Sequence, residues 1–207
     1  NNQLFFVANG GTSQQQLWKT DGTVAGTIAV KTDFIQNVPG DGIFDLCSTS
    51  SQLFFLHRKS VGNSNTADLY ISDGTYAGTK IVRSEDPINF SSPDLAGAVN
   101  YNNQLIFTAT TSANGIEPWI TDGTSAGTQI LLDALAGPTS SGPNGYAVSG
   151  TQLYSLENFR TSVAVIDLIS KQRTVLASGF DFIYSIRSAQ NNVFFKAVKQ
   201  TEGAEWF

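Results

Sequence analysis

Short apolar runs recur along the chain, and each is preceded by polar residues typical of a turn. The recurring segments are Asn2–Phe6, Ser51–Phe55, Asn103–Phe107, Thr151–Tyr154 and Asn192–Phe195. Because neighbouring residues within a run are all apolar, the pattern favours β-strands that are buried on both faces. No segment carries a clear helical period. We therefore predict an all-β chain in which each sheet is covered by other sheets.

A second repeated segment combines polar residues and glycines in a fixed order. It reads Thr-Asp-Gly-Thr-Val-Ala-Gly-Thr at 20–27 and returns at 72–79 and 121–128, with six positions identical in all three copies. The aspartates at 21, 73 and 122 are 52 and 49 residues apart. Self-similarity at a nearly fixed period indicates a repeat architecture.

Each copy of this segment has the chemistry of a tight turn. An aspartate carboxylate can accept a hydrogen bond from the backbone N–H two residues on, and glycine permits a positive φ. We expect both glycines of a copy to use that freedom and the threonine hydroxyls to close the turn. The residues predicted to form these structural turns are Asp21, Gly22, Thr23, Gly26, Asp73, Gly74, Thr75, Gly78, Asp122, Gly123, Thr124 and Gly127.

One unit reads as four strands, most clearly in the second copy. Strands are predicted at 43–48, 52–58, 68–72 and 79–83, with a polar loop at 59–66. Four antiparallel strands in about 40–50 residues are typical of a β-propeller blade. The predicted fold is therefore an all-β propeller built from four-stranded antiparallel blades of about 50 residues.

The units divide the chain, which we treat as one propeller region over 1–207. The predicted parts are a partial blade at 1–42, blades at 43–93 and 94–144, a divergent blade at 145–179 and a partial blade at 180–207. The divergent blade has Ile-Ser-Lys-Gln-Arg at 169–173 in place of the glycine turn. Because the repeat is interrupted at both ends, we expect the chain to be a window of a longer propeller.

Composition narrows the possible partners. Hydrophobic residues make up 41% of the chain, enough for a sizeable core, and charged residues only 14%. The formal net charge of −5 gives no electrostatic footprint for a nucleic acid. No stretch approaches the roughly 20 apolar residues of a membrane helix, so no direct membrane insertion is expected. Cys47 is the only cysteine, so no intrachain disulfide can form.

The units resemble a bacterial repeat written E-L-W-x-x-D-G-T-x-x-G-T, a hyalin-like repeat found in tandem in large secreted or surface proteins. Departures from the motif are Gln16 and Asp68 at the glutamate, Tyr70 at the tryptophan and Pro118 at the leucine. The matching segments are Gln16–Thr23, Asp68–Thr75, Glu117–Thr124 and the start of a further copy at 205–206. The resemblance implies a propeller-like exported protein and supplies no catalytic residue.

Candidate metal and catalytic chemistry is sparse. Each turn has a single aspartate, whereas calcium takes about 6–8 oxygen ligands, so we favour a capped turn over a calcium site. His57 is the only histidine, and with one cysteine a His/Cys metal site is not available. No Gly-x-Ser-x-Gly segment occurs. We predict no cofactor, no metal and no catalytic residue.

Aromatic residues occupy one position of the repeat, at Trp18, Tyr70 and Trp119. Such residues can form a surface on which sugars stack, or they can pack between neighbouring sheets. Periodic placement in every unit favours the packing interpretation.

The loops of a four-stranded meander leave the sheet at two opposite ends. Loops after strands two and four share one end and differ between units, whereas the glycine turns after strand three are nearly identical. Because loops on a rigid scaffold carry function, we predict that the varied end binds a partner. The predicted contact residues are His57, Arg58, Glu85, Phe90, Asn114 and Tyr146.

Together these observations predict a non-catalytic repeat module of an exported or cell-surface bacterial protein. It would serve adhesion, assembly or the binding of a protein or glycan at the cell surface, through the varied loops. The alternative is an enzyme acting on polysaccharide, a glycoside hydrolase or lyase, with an acidic pair at the same end. Such a pair needs no proximity in sequence.

Overall fold

A computed structural model describes residues 3–11, 13–36, 38–61, 64–85, 90–199 and 203–207. Their regular structure is entirely β, as predicted, and forms five antiparallel sheets.

Sheet 1 contains β1 (Leu4–Ala8), β2 (Gln16–Thr20) and β3 (Ile28–Lys31). Sheet 2 contains β4 (Gly42–Ser48), β5 (Leu53–Val61), β6 (Ser64–Ser72) and β7 (Lys80–Arg83). Sheet 3 contains β8 (Ser91–Tyr101), β9 (Gln104–Thr111), β10 (Gly115–Thr121) and β11 (Gln129–Ile130). Sheet 4 contains β12 (Tyr146–Ser149), β13 (Gln152–Glu157), β14 (Ser162–Asp167) and β15 (Arg173–Ser178). Sheet 5 contains β16 (Phe182–Ala189), β17 (Asn192–Lys199) and β18 (Gly203–Trp206).

Each sheet is a meander in which strands adjacent in sequence pair with each other. The polar segment 59–66, predicted as a loop, is instead largely strand. The β5–β6 ladder continues through the pairs Lys59–Thr66 and Ser60–Asn65. A backbone ladder forms whether the side chains are polar or apolar, which is why polarity alone misplaced this loop. We also predict a loop after the fourth strand of this unit, at 84–93; residues 86–89 of it lie outside the described residues, and β8 begins at Ser91.

The apolar runs of sheets 2 and 3 are buried on both faces, as predicted, whereas Leu4 of sheet 1 and Phe194 of sheet 5 are exposed. In sheet 2, Leu53 and Phe55 belong to a core cluster shared with sheet 1, while Phe54 points the other way. Phe54 packs with Leu105 and Phe107 of sheet 3. The same alternation continues onward, with clusters between sheets 3 and 4 and between sheets 4 and 5. Neighbouring sheets therefore share their cores.

The first strands of sheets 2 to 5 lie side by side. β4 contacts β8, β8 contacts β12, and β12 contacts β16. The approach is closest at Gly97 of β8, where an added Cβ would lie 2.5 Å from the Cα of Gly145. Small residues at this contact let two backbones meet without side chains between them. We call the four strands β4, β8, β12 and β16 the first-strand row.

The repeated turns have one hydrogen-bonding pattern in all three copies. In the second copy, Asp73 Oδ1 accepts from the backbone N–H of Thr75 at 2.8 Å and from its hydroxyl at 2.7 Å. The Thr75 hydroxyl oxygen accepts from the N–H of Gly78 at 2.9 Å, and the Thr79 hydroxyl donates to the Thr75 carbonyl at 2.6 Å. The matching bonds form in the other two turns. The aspartate therefore closes the turn on itself, as an Asx-turn does.

The two glycines of each turn have different roles. The first, at 22, 74 and 123, has φ of 94°, 86° and 89°, as predicted. The second, at 26, 78 and 127, is absent from the residues with positive φ, so that part of the prediction was wrong. An added Cβ would lie only 2.0–2.1 Å from the carboxylate Oδ1 of the turn's own aspartate. Glycine is needed there for the space that the carboxylate occupies.

The first glycine also contacts the preceding sheet. A Cβ on Gly123 would lie 2.2 Å from Ile71 Cδ1 of sheet 2, and one on Gly74 would lie 3.2 Å from Phe5 of sheet 1. At Gly22 no atom lies within 4 Å of the added Cβ. The turn is thus a contact between sheets as well as a connection between strands.

We predict that Gly123→Ala destabilises the fold more than Gly22→Ala. Both changes place a Cβ at positive φ, which costs about 1–2 kcal/mol of stability. Only Gly123→Ala also overfills a packed site, which costs about 1–3 kcal/mol more. Urea unfolding of the two variants measures the difference. Ile71→Val, which lacks Cδ1, should restore part of the loss in Gly123→Ala and none in Gly22→Ala. Equal losses in the two single variants would contradict the packing role.

Acid stability depends on the turn aspartates. The hydroxyl of the neighbouring threonine and then its backbone N–H lower the pKa of Asp21, Asp73 and Asp122. Because the folded pKa lies below the unfolded value of about 3.9, these bonds add stability above that value, and the contribution is lost as the pH falls through the folded pKa.

We therefore expect a variant with all three aspartates changed to asparagine to lose less stability than the natural sequence when the pH drops from 5 to 2. Asparagine keeps the accepting oxygen but does not titrate. Unfolding midpoints across this pH range provide the measurement. The other carboxylates are the same in both proteins, so their titration affects both stability profiles equally. Profiles that stay parallel from pH 5 to pH 2 would show that the turn aspartates make no such contribution.

Candidate functional site

Three members of the first-strand row carry β-bulges. In β4, Phe44 pairs with Leu56 and Cys47 with Phe54, so two residues face one. In β8, Asp94 pairs with Thr108 and Val99 with Ile106, which leaves residues 95–98 opposite a single residue of the fully described β9. In β16 the register also shifts, at residue 184. Bulges redirect side chains and are frequent beside functional sites.

The bulges of β4 and β8 border a cleft of about 420 Å³, which we call the acidic cleft. Its charged lining residues are Asp45, Arg58, Glu85 and Asp94. Three carboxylates face one guanidinium, so the cleft has a net negative charge. Glu85 is held in place because it accepts hydrogen bonds from the backbone N–H groups of Ala67 and Ser92.

Two of these carboxylates interact electrostatically. Partial burial raises the pKa of Asp45, the negative charge of Asp94 raises it further, and Arg58 acts in the opposite direction. Asp45 lies on the β4 bulge and has a φ of 51°. The Arg58 guanidinium lies 4.6 Å from the centre of the Phe44 ring. The arrangement places the carboxylates of Asp45 and Asp94 on the neighbouring strands β4 and β8.

A second cleft, of about 410 Å³, adjoins the first along β8, and we call it the arginine cleft. It is lined by the bulge residues 96–98, by 145–147 and by 184–188, and its two charged residues are Arg160 and Arg187. No carboxylate occurs among the described residues that line it. Asp94, which lines the acidic cleft, and Ala96, which lines the arginine cleft, lie two residues apart on β8, and Asp94 Oδ1 accepts from the N–H of Ala96 at 2.8 Å.

Arg160 is held by bonds to two neighbouring segments. Its Nη1 donates to the carbonyl of Tyr184 at 2.9 Å, and its Nη2 donates to Asn144 Oδ1 at 2.7 Å. These bonds use two of the five N–H donors of a guanidinium. An oriented guanidinium with donors to spare is suited to binding an anionic group.

The loop that carries Arg160 is strained. Asn158, Phe159 and Arg160 are consecutive and have φ values of 50°, 56° and 65°. Such angles are costly for residues other than glycine and persist where surrounding contacts enforce them. The backbone N–H of Thr161 donates to the carbonyl of Glu157 at 3.1 Å, which closes the loop. Phe159 at its tip is 86% exposed.

The structure places the predicted contact residues in different environments. Arg58 and Glu85 lie together in the lining of the acidic cleft, and their contact with a partner stays a prediction. Asn114 is partly buried at the β9–β10 turn, away from both clefts, and its Nδ2 donates to Asp133 at 2.9 Å.

Three predicted contact residues are buried, which corrects the prediction that they meet a partner. His57, 2% exposed, packs on Phe34, and its ring N–H donates to the carbonyl of Ile35 at 2.9 Å. Burial lowers the pKa of His57. Phe90 is fully buried in the core between sheets 2 and 3. Tyr146 is 4% exposed at the floor of the arginine cleft, and its hydroxyl bonds to Thr108. Contacts with residues distant in sequence bury His57, Phe90 and Tyr146.

The acidic position of the repeat motif is also structural. Glu117 is fully buried, and its carboxylate accepts from the N–H and hydroxyl of Ser141 and from the N–H of Ala134. Burial raises the pKa of Glu117. Asp68, at the same motif position in sheet 2, pairs with Lys59 at 2.6 Å. These carboxylates tie down neighbouring segments.

Two of the periodic aromatic residues pack in the cores between sheets. Tyr70 stacks on Phe55 at 5.2 Å, and Trp119 is 4% exposed beside Phe90. Trp18 is half-buried and stacks on Phe6 at 6.3 Å. The packing interpretation therefore holds for the second and third units.

Within the described part of the chain, no group of three or more histidine, cysteine, aspartate or glutamate side chains is placed so that it could hold a metal ion. The described residues likewise include no helix long and apolar enough to cross a membrane.

Sequence reasoning missed four residues of the clefts, namely Asp45, Asp94, Arg160 and Arg187. Bulge positions depend on register, which the sequence does not show. Arg160 could have been found, because its loop follows the second strand of the divergent unit, as the predicted variable loops do in the others.

Comparisons with known proteins concern the fold. No family model matches the chain, and no curated protein matches it. The β-propeller domain of the Trilobed protease from Pyrococcus furiosus is similar, with a TM-score of 0.63 and 13% identity over 100% of this chain and 62% of that one. A mutant puromycin hydrolase is similar with a TM-score of 0.62 and 11% identity, over 93% of this chain and 31% of that one. TolB from Acinetobacter baumannii is similar with a TM-score of 0.55 and 13% identity, over 99% of this chain and 48% of that one.

The chain spans less than two thirds of each of these structures. At such identities the likeness shows the fold alone, and that fold is propeller-like.

Proposed function

We propose that the chain is a non-catalytic binding module of an exported or cell-surface bacterial protein, and that it recognises a protein or glycan partner through the acidic and arginine clefts. The observation that carries this proposal is that one bulged strand, β8, lines two clefts of opposite charge.

The architecture we propose is a β-propeller whose blades are the five sheets. Supporting it are the sequential meanders, the shared cores and the first-strand row. In propellers the first strands of the blades surround a central channel. Both clefts would then open on that channel, where loops and bulges of several blades converge on one ligand.

Export and a surface role are supported by sequence alone. The chain is poor in charged residues, and its units resemble the tandem repeat of secreted and surface proteins. The expectation of adhesion or assembly follows from the same resemblance.

Binding without catalysis is favoured by how the polar groups are used. The imidazole of His57 and the carboxylate of Glu117 are buried and bonded to protein groups. The cleft arginines are oriented by Asn144 and by backbone carbonyls. Side chains fixed before binding reduce the entropy lost on association, which favours recognition.

The second candidate is an enzyme acting on polysaccharide, with Asp45 and Asp94 as its acidic pair. One observation favours it: the pKa of Asp45 is raised by burial and by the charge of Asp94. Two carboxylates with different proton affinities can divide the roles of acid and of base or nucleophile.

We expect glycan-array and surface-protein binding to depend on the clefts. Arg187→Gln and Asp94→Asn each remove one charge and should weaken binding of the recognised partner about tenfold or more. Lys80→Gln serves as the charge-matched control, because Lys80 is an exposed residue of β7 outside both clefts. Binding that survives both cleft substitutions but is lost on Asp122→Asn would overturn the proposal.

Reducing-sugar release from polysaccharide tests the enzyme. The binding proposal expects none from the purified chain. Release that falls at least about a hundredfold in Asp45→Asn and in Asp94→Asn would replace it with the second candidate.

A further inference from the structure

We infer that the two clefts together bind a short peptide segment in extended form, with its carboxylate at Arg160 and Arg187 and an ammonium group at Asp45 and Asp94. This inference rests on the proposed binding function and names its ligand class.

Charge is the first reason. The arginine cleft has two guanidinium groups and no carboxylate among its described lining residues, whereas the acidic cleft has three carboxylates and one guanidinium. A ligand that lies across both needs a negative group at one end and a positive group at the other. Short peptides have both groups at their termini, and side chains can supply them within a longer chain. Acidic glycans supply the carboxylate without the ammonium.

Exposed backbone is the second reason. β8 is an edge strand of sheet 3, and residues 95–98 have no register partner in the fully described β9. Ala96 is exposed and has a small side chain, so a ligand can approach the backbone closely there, whereas Gly97 packs against Gly145. Extended peptides add to sheet edges through main-chain hydrogen bonds, a mode open to peptides but not to sugars.

Length is consistent with this assignment. Asp94 and Val99 pair with Thr108 and Ile106, so the bulge between them spans two residues of β9, about 7 Å. A tetrapeptide in extended form reaches at most about 14 Å, which is enough to pass the bulge. One short segment can therefore place opposite charges in the two clefts while its backbone follows the β8 bulge.

The anchoring groups are suited to carboxylate recognition. Arg160 reaches the cleft from the strained loop and is fixed by Asn144 and Tyr184. The Arg187 side chain bonds to the carbonyl of Ile186 at 2.8 Å and is otherwise exposed. Guanidinium groups bind carboxylates through paired, charge-assisted hydrogen bonds.

The experiment uses the full chain and tetra-alanine with free, amidated or acetylated ends, followed by NMR titration. We expect the peptide with both ends free to bind, with the amide signals of Ala96, Gly97 and Ala98 shifting. Amidation of the carboxyl end and acetylation of the amino end should each weaken binding about tenfold or more.

Variants then locate each end. In Arg187→Gln, amidation of the peptide should no longer weaken binding, whereas acetylation should still weaken it. In Asp94→Asn, acetylation should no longer weaken binding, whereas amidation should still weaken it. Lys80→Gln should retain both effects. Arg187→Gln is preferred to Arg160→Gln because Arg160 also holds its own loop.

Some outcomes would overturn the inference. Amidation and acetylation without effect, or effects that persist unchanged in both cleft variants, would exclude this peptide orientation. Binding of tetragalacturonate, but not of tetra-alanine, in an Arg187-dependent way would overturn the peptide ligand and leave the proposed binding function standing. If neither probe nor any array partner depends on the cleft residues, the proposed function fails as well.

Discussion

The structure depends on one constraint, which is that each central sheet must be covered on both faces. In the run Leu53–Leu56, alternate side chains enter two different cores, one shared with sheet 1 and one with sheet 3. Each Å² of apolar surface removed from water contributes roughly 25 cal/mol to folding. Phe54 and Phe55 therefore stabilise the fold because neighbouring sheets cover them. Sheet-to-sheet packing is therefore the principal source of stability, and the turns and clefts are arranged around it.

The packing of sheets against one another also explains where the accessible charged side chains lie. Buried faces leave the sheet edges and the strand ends as the places where charged groups remain accessible. Along the first-strand row, bulges in β4, β8 and β16 interrupt the regular alternation of side chains. Asp45 and the residues 96–98 consequently face open clefts instead of a neighbouring sheet. Local departures from ideal pairing thus help to form two clefts of opposite charge along one strand.

Sequence alone predicted the features that repeat. The aspartate–threonine bonds of the turns follow from local chemistry, and the two-sided burial of strands follows from uninterrupted apolar runs. It did not predict that Gly26 is required for space instead of for its φ, because that reason depends on where the Asp21 carboxylate folds back. It also placed His57, Phe90 and Tyr146 at a surface, although their neighbours in the fold enclose them. Register shifts are decided by tertiary packing, so Asp45 and Asp94 were not recognised.

The contact between each turn and the sheet before it has a consequence for how such an array can grow. Gly74 meets Phe5 and Gly123 meets Ile71, so a turn recognises only its immediate predecessor. When stability is a sum of unit and nearest-neighbour terms, copying a unit reproduces every contact that the copy requires. Gene duplication can therefore lengthen such a protein without redesigning an interface, while substitutions at strand ends remain free to diversify what each added unit binds.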